Sequence, residues 1–278
     1  MAAVNKDNIK SMKLYHQVER VFNELQEMGL NDEDAIAVDQ LTPFDQYHYE
    51  GTDAVDHAIL SLGLNSKSHV LEVGAGIGGP ARYLAANAGC KVTAMELQGD
   101  LNDVAASLTQ RCQLGDKINH LQGDFLADTL PNNQYDAIVS WLVFLHIPER
   151  EKLFKRCLAA TRSGGKLFIE DFSKRAEFSE QEKDELAKKV YCTYVPTAEE
   201  YSTQLEDAGF EDVQVTDMTN RWKEFVSGRL QMFRDQRERN LRVHGTEIVD
   251  GLEDFYSTVS GLYDGGNLGG VRIVATKP

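Results

Sequence analysis

The chain has 278 residues, 42% of them hydrophobic, and a net charge of −15. That length supports one large α/β domain with appendages. No block of Lys and Arg stands out, which argues against a nucleic-acid partner or an anionic membrane surface, while the acidic field serves solubility and favours a small cationic or zwitterionic substrate.

Residues 1–68 read as an N-terminal helical cap. Met12, Tyr15, Val18, Val21, Phe22 and Leu25 have helical spacing over 9–28, closed by Gly29. The start, 1–13, is polar and has no apolar h-region. After a polar stretch over 31–39, Thr42-Pro43-Phe44-Asp45-Gln46-Tyr47-His48-Tyr49-Glu50-Gly51 crowds aromatics and a His into a turn-like run. A helix over 52–62 leads into the first strand.

That strand, 70–73, runs into Gly74-Ala75-Gly76-Ile77-Gly78-Gly79, and a second strand, 91–96, ends on Glu96. The glycines allow a tight turn and close approach to a ligand, and the helix over 80–88 points free N–H groups at it. Gly74, Gly76 and Gly79 also fit the dinucleotide fingerprint, with Glu96 placed to hold a ribose, so a nicotinamide oxidoreductase is the rival enzyme reading. Glu72 speaks against it. A carboxylate ending an apolar strand is expensive unless paired, and it would repel a pyrophosphate. S-adenosylmethionine carries a sulfonium, an ammonium and no phosphate, which suits two carboxylates.

A helix over 101–112, strands over 118–122 and 135–140, a helix over 149–161 and a strand over 166–170 follow. Strands separated by helical segments mean βαβ units and a Rossmann-like, mostly parallel seven-stranded sheet with helices on both faces. Ligands of such sheets sit at the carboxyl ends of the strands, where the strand order reverses. Of the two acids ending the fifth strand, Glu170 and Asp171, alternation points one outward. A charged helical segment spans 173–190, and a helix over 197–208 starts on Thr197 with Glu200 completing a capping box. A sixth strand covers 212–215. The stretch between it and a last strand over 267–275 is helical, with Trp222, Phe225, Leu230 and Phe233 mostly facing a core. Trp222 is an alternative wall of the acceptor site.

Together, Glu72, the Gly74-x-Gly76-x-Gly78 turn, Glu96, Gly123-Asp124-Phe125, Tyr135-Asp136 and Gly164-Gly165 resemble a class I S-adenosylmethionine-dependent methyltransferase. The chain is most similar to the small-molecule branch that includes sarcosine/dimethylglycine, phosphoethanolamine and ubiquinone-pathway enzymes. The resemblance implies that Glu72, Gly74, Ala75, Gly76 and Gly78 hold the methionine part, Glu96 the ribose hydroxyls and Asp124 the adenine amino group, with Leu97 and Phe125 flanking the purine. Trp141 is a further cofactor candidate. Leu97 and Phe125 also read as core, and Asp124 as a turn cap.

The sulfonium methyl is already electrophilic, so the protein must place a nucleophile in line and manage its proton. His146, Tyr47 and Tyr194 are the catalytic candidates. In the resembling family Leu-His-His often precedes Ile-Pro; here Phe144-Leu145-His146 keeps one His, a proton acceptor or a structural imidazole bonded to a carbonyl. Tyr47, Tyr49, Trp141, Tyr191 and Tyr194 form a candidate cage for an amine or its methylated cation. The resemblance implies methyl transfer to a small soluble acceptor, preferably an amine or amino-acid nitrogen. O- or C-methylation of a phenol or quinone is the alternative, and a silent cofactor-binding protein the third reading.

Cys90, Cys112, Cys157 and Cys192 are dispersed and read as reduced thiols, with no metal-ligand spacing and so no metal. No run approaches the ~18 apolar residues of a membrane span. A cytoplasmic monomer or homodimer is expected, with the cap over 1–68 and a cofactor-binding domain over 69–278 carrying helical lids at about 172–200 and 219–262.

Overall fold

A computed structural model describes Tyr15 and residues 18–278. The readings of 1–13 and, Tyr15 apart, of 9–17 lie outside the described residues. In chain order the elements are α1 (Arg20–Glu27), α2 (Val38–Asp45), α3 (Thr52–Leu62), β1 (His69–Val73), α4 (Gly79–Asn87), β2 (Lys91–Glu96), α5 (Gly99–Arg111), β3 (Ile118–Gln122) and β4 (Tyr135–Trp141). A 3-10 turn (Phe144–His146) follows, then α6 (Arg150–Ala160), β5 (Thr161–Lys174), α7 (Glu180–Lys189), α8 (Ala198–Ala208), β6 (Glu211–Asp217), α9 (Thr219–Asp235), α10 (Arg237–His244), α11 (Thr246–Gly265) and β7 (Leu268–Thr276).

The strands form one seven-stranded sheet in the order β3-β2-β1-β4-β5-β7-β6, with β7 antiparallel to both of its neighbours. This is the expected Rossmann-like α/β fold. β1 reads as an apolar run because both sheet faces are covered: one by α3 and α4, the other by α6 and α8. The chain reverses direction across the sheet between β1 and β4, so the turn after each opens at one crevice.

Three expectations change. β5 is longer than 166–170 because β7 pairs with it continuously from Lys166 to Lys174, and it runs back to Thr161 through Gly164 at φ 71°. The helix after it is confined to α7, where Ser179 and Glu182 make a reciprocal cap. The stretch after β6 is three helices, broken at Gln236 and at Gly245. The capping box at Thr197 and Glu200 forms as read.

Glu170 and Asp171 do face opposite ways, but neither is exposed. Glu170 meets Arg272 of β7 at 2.5 Å, and Asp171 accepts the Tyr201 hydroxyl at 2.6 Å with Arg150 beyond it at 3.9 Å. A buried acid persists when it has such partners. Trp222 is fully enclosed against Gly270, where an added Cβ would stand 2.0 Å from its ring, so it is core rather than an acceptor wall.

The end of α2 lies against the start of α4: a Cβ on Gly79 would come within 2.3 Å of the Asp45 carbonyl oxygen. Asp45 pairs there with Arg82 at 2.9 Å, both side chains fully excluded from solvent. Asp45→Ala leaves a buried guanidinium without its counterion and is expected to cost ~3–5 kcal/mol of stability. Urea unfolding checks this, and a loss below ~1 kcal/mol would show that the pair does not clamp α2 to the sheet.

Candidate functional site

Gly74, Gly76 and Gly78 all adopt positive φ, at 75°, 55° and 79°. At Gly74 the conformation and the space both require glycine, since a Cβ would stand 2.4 Å from the Val143 side chain that follows β4. Two cavities meet at this turn. A cleft runs over the ends of β1, β2 and β3 and is lined by Glu96, Leu97, Asp124 and Phe125. A chamber lies between the turn and Tyr47, Tyr49, Phe172, Arg229 and Phe255. Tyr15, Gly74, Gly76, Val143 and His146 line both and so mark where they join.

In the cleft, Glu96 accepts the backbone N–H groups of Gly76 at 2.8 Å and Gln98 at 2.9 Å. Its carboxylate is thereby fixed at the end of β2, as an alcohol-binding group should be. Asp124 Oδ1 accepts the Leu126 N–H at 2.9 Å, so the turn-cap reading holds, and the residue lines the cleft as well. Phe125 is buried in the core while also facing the cleft, and Leu97 is half-buried.

The chamber holds Glu72, Ala75, Tyr47, Tyr49 and Trp141 among the expected residues. Glu72 is 2% exposed, and its Oε2 has no hydrogen-bond partner among the described residues. Burial pushes its pKa up to about 8, with Glu96 adding repulsion and Arg82 opposing the shift. Trp141 Nε1 is likewise buried without a partner. His146 joins its Nδ1 to the Tyr191 carbonyl at 3.2 Å, and burial lowers its pKa to about 4. With Nδ1–H donating to that carbonyl, the ring is neutral at physiological pH and keeps the Nε2 lone pair for a ligand. The structural and functional readings of His146 are therefore compatible.

The expected cage is partly regrouped. Tyr191 and Tyr194 line neither cavity: the Tyr191 carbonyl holds His146, and Gln204 donates to the Tyr194 hydroxyl at 2.8 Å. Tyr15, His48, Phe172 and Phe255 stand on the wall instead. Gly78 also lines neither cavity; it caps α4 in the left-handed region. Sequence reasoning missed Gln98 in the cleft and Arg229 in the chamber. Gln98 had a local signal, two residues past Glu96, whereas Arg229 reaches the site only through the packing of α9.

Residues 47–215 match the family model described as a methyltransferase domain. The chain belongs to that family. It is a class I methyltransferase, and its cofactor is S-adenosyl-L-methionine. Among relatives, the sarcosine/dimethylglycine N-methyltransferase of Halorhodospira halochloris is 29% identical over 210 residues, covering 76% of this chain and 74% of that protein. The phosphoethanolamine N-methyltransferase of Plasmodium falciparum is 24% identical over 211 residues, 74% of this chain and 77% of that protein. A solved structure of phosphoethanolamine N-methyltransferase 2 of Haemonchus contortus, in complex with phosphomonomethylethanolamine and S-adenosylhomocysteine, superposes with a TM-score of 0.81 at 21% identity. It matches all of this chain, which spans 61% of that one, and it supports the fold. Among the described residues no helix is long and apolar enough to cross a membrane.

The residues fit the cofactor: a buried carboxylate with one oxygen unpartnered among the described residues and two left-handed glycines adjoin a cleft with acids fixed at strand ends. A cationic ligand beside Glu72 favours the carboxylate, so binding should release a proton wherever Glu72 starts protonated. Affinity for S-adenosylmethionine should therefore rise with pH, by up to about tenfold per unit, and level off above the Glu72 pKa of about 8. Titration calorimetry in buffers of different ionisation enthalpy measures this. Glu72→Gln should abolish the slope, and a flat profile in the unaltered protein would contradict the assignment.

Proposed function

We propose that the chain transfers the methyl group of S-adenosylmethionine to the nitrogen of a small amine or amino acid. One observation carries the reading: a chamber walled by aromatic rings opens onto the cleft across Gly74 and Gly76, with the neutral imidazole of His146 at the junction. The two N-methyltransferase relatives support the choice of nitrogen.

In this reading Glu96 takes the ribose hydroxyls, Asp124 the adenine amino group, and Leu97 and Phe125 the faces of the purine. Glu72 pairs with the cofactor ammonium, and the Gly74–Gly76 backbone lies along the methionine part, beside Ala75 and Trp141. The bound cofactor supplies an electrophilic methyl group. Placing an amine lone pair in line behind that methyl is work the chain does by shape, and positioning of this kind contributes ~7–11 kcal/mol in favourable cases. His146 Nε2 accepts a hydrogen bond from the amine N–H and orients its lone pair. Tyr47 lines the same chamber, and its hydroxyl accepts the Arg20 Nε–H at 3.3 Å. Ring faces of Tyr49, Trp141 and Tyr15 stabilise the methylated ammonium as charge develops. Tyr194 has no direct part.

We read the first 68 residues as a cap, and the segments after β5 and before β7 as lids, on the same wall. Tyr15, Tyr47 and Tyr49 come from the first 68 residues, Phe172 from the end of β5, Val190 from the segment after it, and Arg229 and Phe255 from the helices before β7. Each closes over the chamber from a different side, which excludes water from the transfer.

Incubation with methyl-deuterated S-adenosylmethionine and a panel of amines, phenols and thiols, read by mass spectrometry, tests the function; label on nitrogen is expected, and label found on oxygen or carbon alone would overturn it. His146→Ala should lower kcat by about 10²-fold with little change in cofactor affinity. Because the imidazole stays neutral down to about pH 4, kcat should show no inflection near 6.5 from this group.

A further inference from the structure

Asp171 lines neither the cleft nor the chamber, yet its carboxyl joins the contacts that fix the turn carrying His146. β4 parts from β5 after Trp141 pairs with Glu170, and Leu142 turns away at φ 54°. Asp171 is the next residue of β5, fully buried, and it stands where the strand gives way to the 3-10 turn over Phe144–His146. A 3-10 turn is short and poorly bonded in itself, so outside contacts set its geometry.

Each residue of the turn has such a contact. The Phe144 carbonyl accepts Arg150 Nη1 at 2.8 Å, the Leu145 N–H is among the donors that favour the Asp171 carboxylate, and the His146 ring is joined through Nδ1 to the Tyr191 carbonyl at 3.2 Å. The first two converge on one acid. Arg150 Nη1 lies 3.9 Å from Asp171 Oδ2, the Tyr201 hydroxyl donates to that same oxygen at 2.6 Å, and Oδ1 accepts the Phe172 N–H at 2.9 Å. The Arg150 guanidinium is itself confined, 4.4 Å over the Tyr201 ring and 5.0 Å over the Phe154 ring. Burial pushes the Asp171 carboxyl up to about 6, while Arg150, the Tyr201 hydroxyl and the N–H groups oppose the rise and leave it charged at neutral pH.

A buried ion pair adds little net stability over apolar side chains of the same volume. Apolar side chains would fill this space but would hold neither the Phe144 carbonyl nor the Leu145 N–H. We propose that Asp171, with Arg150 and Tyr201, is a positioning residue for methyl transfer. It fixes the turn so that the His146 ring keeps Nδ1 on the Tyr191 carbonyl and presents Nε2 to the amine. A shift of the turn by an ångström is enough to misplace that nitrogen and slow the reaction. This inference rests on the role given to His146 above.

Two variants test it. Asp171→Asn keeps the shape and an acceptor oxygen while removing the charge; Tyr201→Phe removes one donor and keeps the ion pair, so it carries the test if the first variant does not fold. With the amine of the labelling panel that turns over fastest, kcat should fall by ~10- to 100-fold in Asp171→Asn and by less in Tyr201→Phe. The acceptor KM, and S-adenosylhomocysteine affinity by calorimetry, should stay unchanged. The ring ¹⁵N signals of His146, assigned by their loss in His146→Ala, should show one protonated and one free nitrogen in the unaltered protein and an average of the two tautomers in both variants. In a His146→Ala background, Asp171→Asn should add less than about 2-fold, because both changes remove one function. Losses that multiply in the double variant, or a His146 spectrum unmoved in both single variants, would show a merely structural ion pair and overturn the inference. Undiminished kcat in His146→Ala would overturn the role of His146 and this inference together, while label on nitrogen would leave N-methylation standing.

Discussion

A carboxylate held at the end of a buried strand, with one oxygen lacking a partner among the described residues, is the constraint on which the site depends. Burying such a group costs free energy unless a cation or a set of donors meets it. Glu72 has neither at full strength: Arg82 is engaged by Asp45, and burial holds Glu72 toward its neutral form. The shortfall is localised beside a turn where Gly74 admits no side chain and Val143 closes the opposite wall. An elongated ligand with positive charge near its middle and end relieves it; a pyrophosphate would aggravate it.

The sheet makes this possible at little cost. Reversal of strand order between β1 and β4 opens a crevice that neither neighbouring connection covers, and the carboxyl ends of β1, β2 and β4 deliver Glu72, Glu96 and Trp141 to it. The remaining walls come from segments far apart in sequence. Arg229 binds the carbonyls of Tyr47 and His48, and Glu50, next along that strap, bridges Arg221 and Arg272. Charged groups therefore tie the aromatic strap to both α9 and β7. His146 is set by the Tyr191 carbonyl, and Tyr191 itself adopts φ 56°, so the segment after β5 is bent to hold a ring rather than to offer its own.

The nucleotide half of the site was legible in the sequence because its signals are local. A β-branched run, a glycine turn and an acid at a strand end report their positions within a few residues, and β2 and β3 fall where the pattern puts them. The acceptor half was not. Tyr191 and Tyr194 look like wall residues because they follow β5, yet their orientation is decided by partners on α8 and at the 3-10 turn. Glu170 and Asp171 look like rim acids, yet β7 and α6 supply arginines that bury them. Arg229 sits in a helix whose charges all look solvent-facing, and only the crossing of α9 over the strap reveals it. Long-range pairing of this kind leaves no periodic trace.

The most direct test of the account is equilibrium binding at neutral pH, with S-adenosylmethionine and NADH titrated separately into the protein in a calorimeter. Selection by a buried acid that ionises against a cation requires the sulfonium ligand to bind with one site per chain and the dinucleotide to give no saturable heat. Saturable binding of NADH, or none of S-adenosylmethionine, would contradict it.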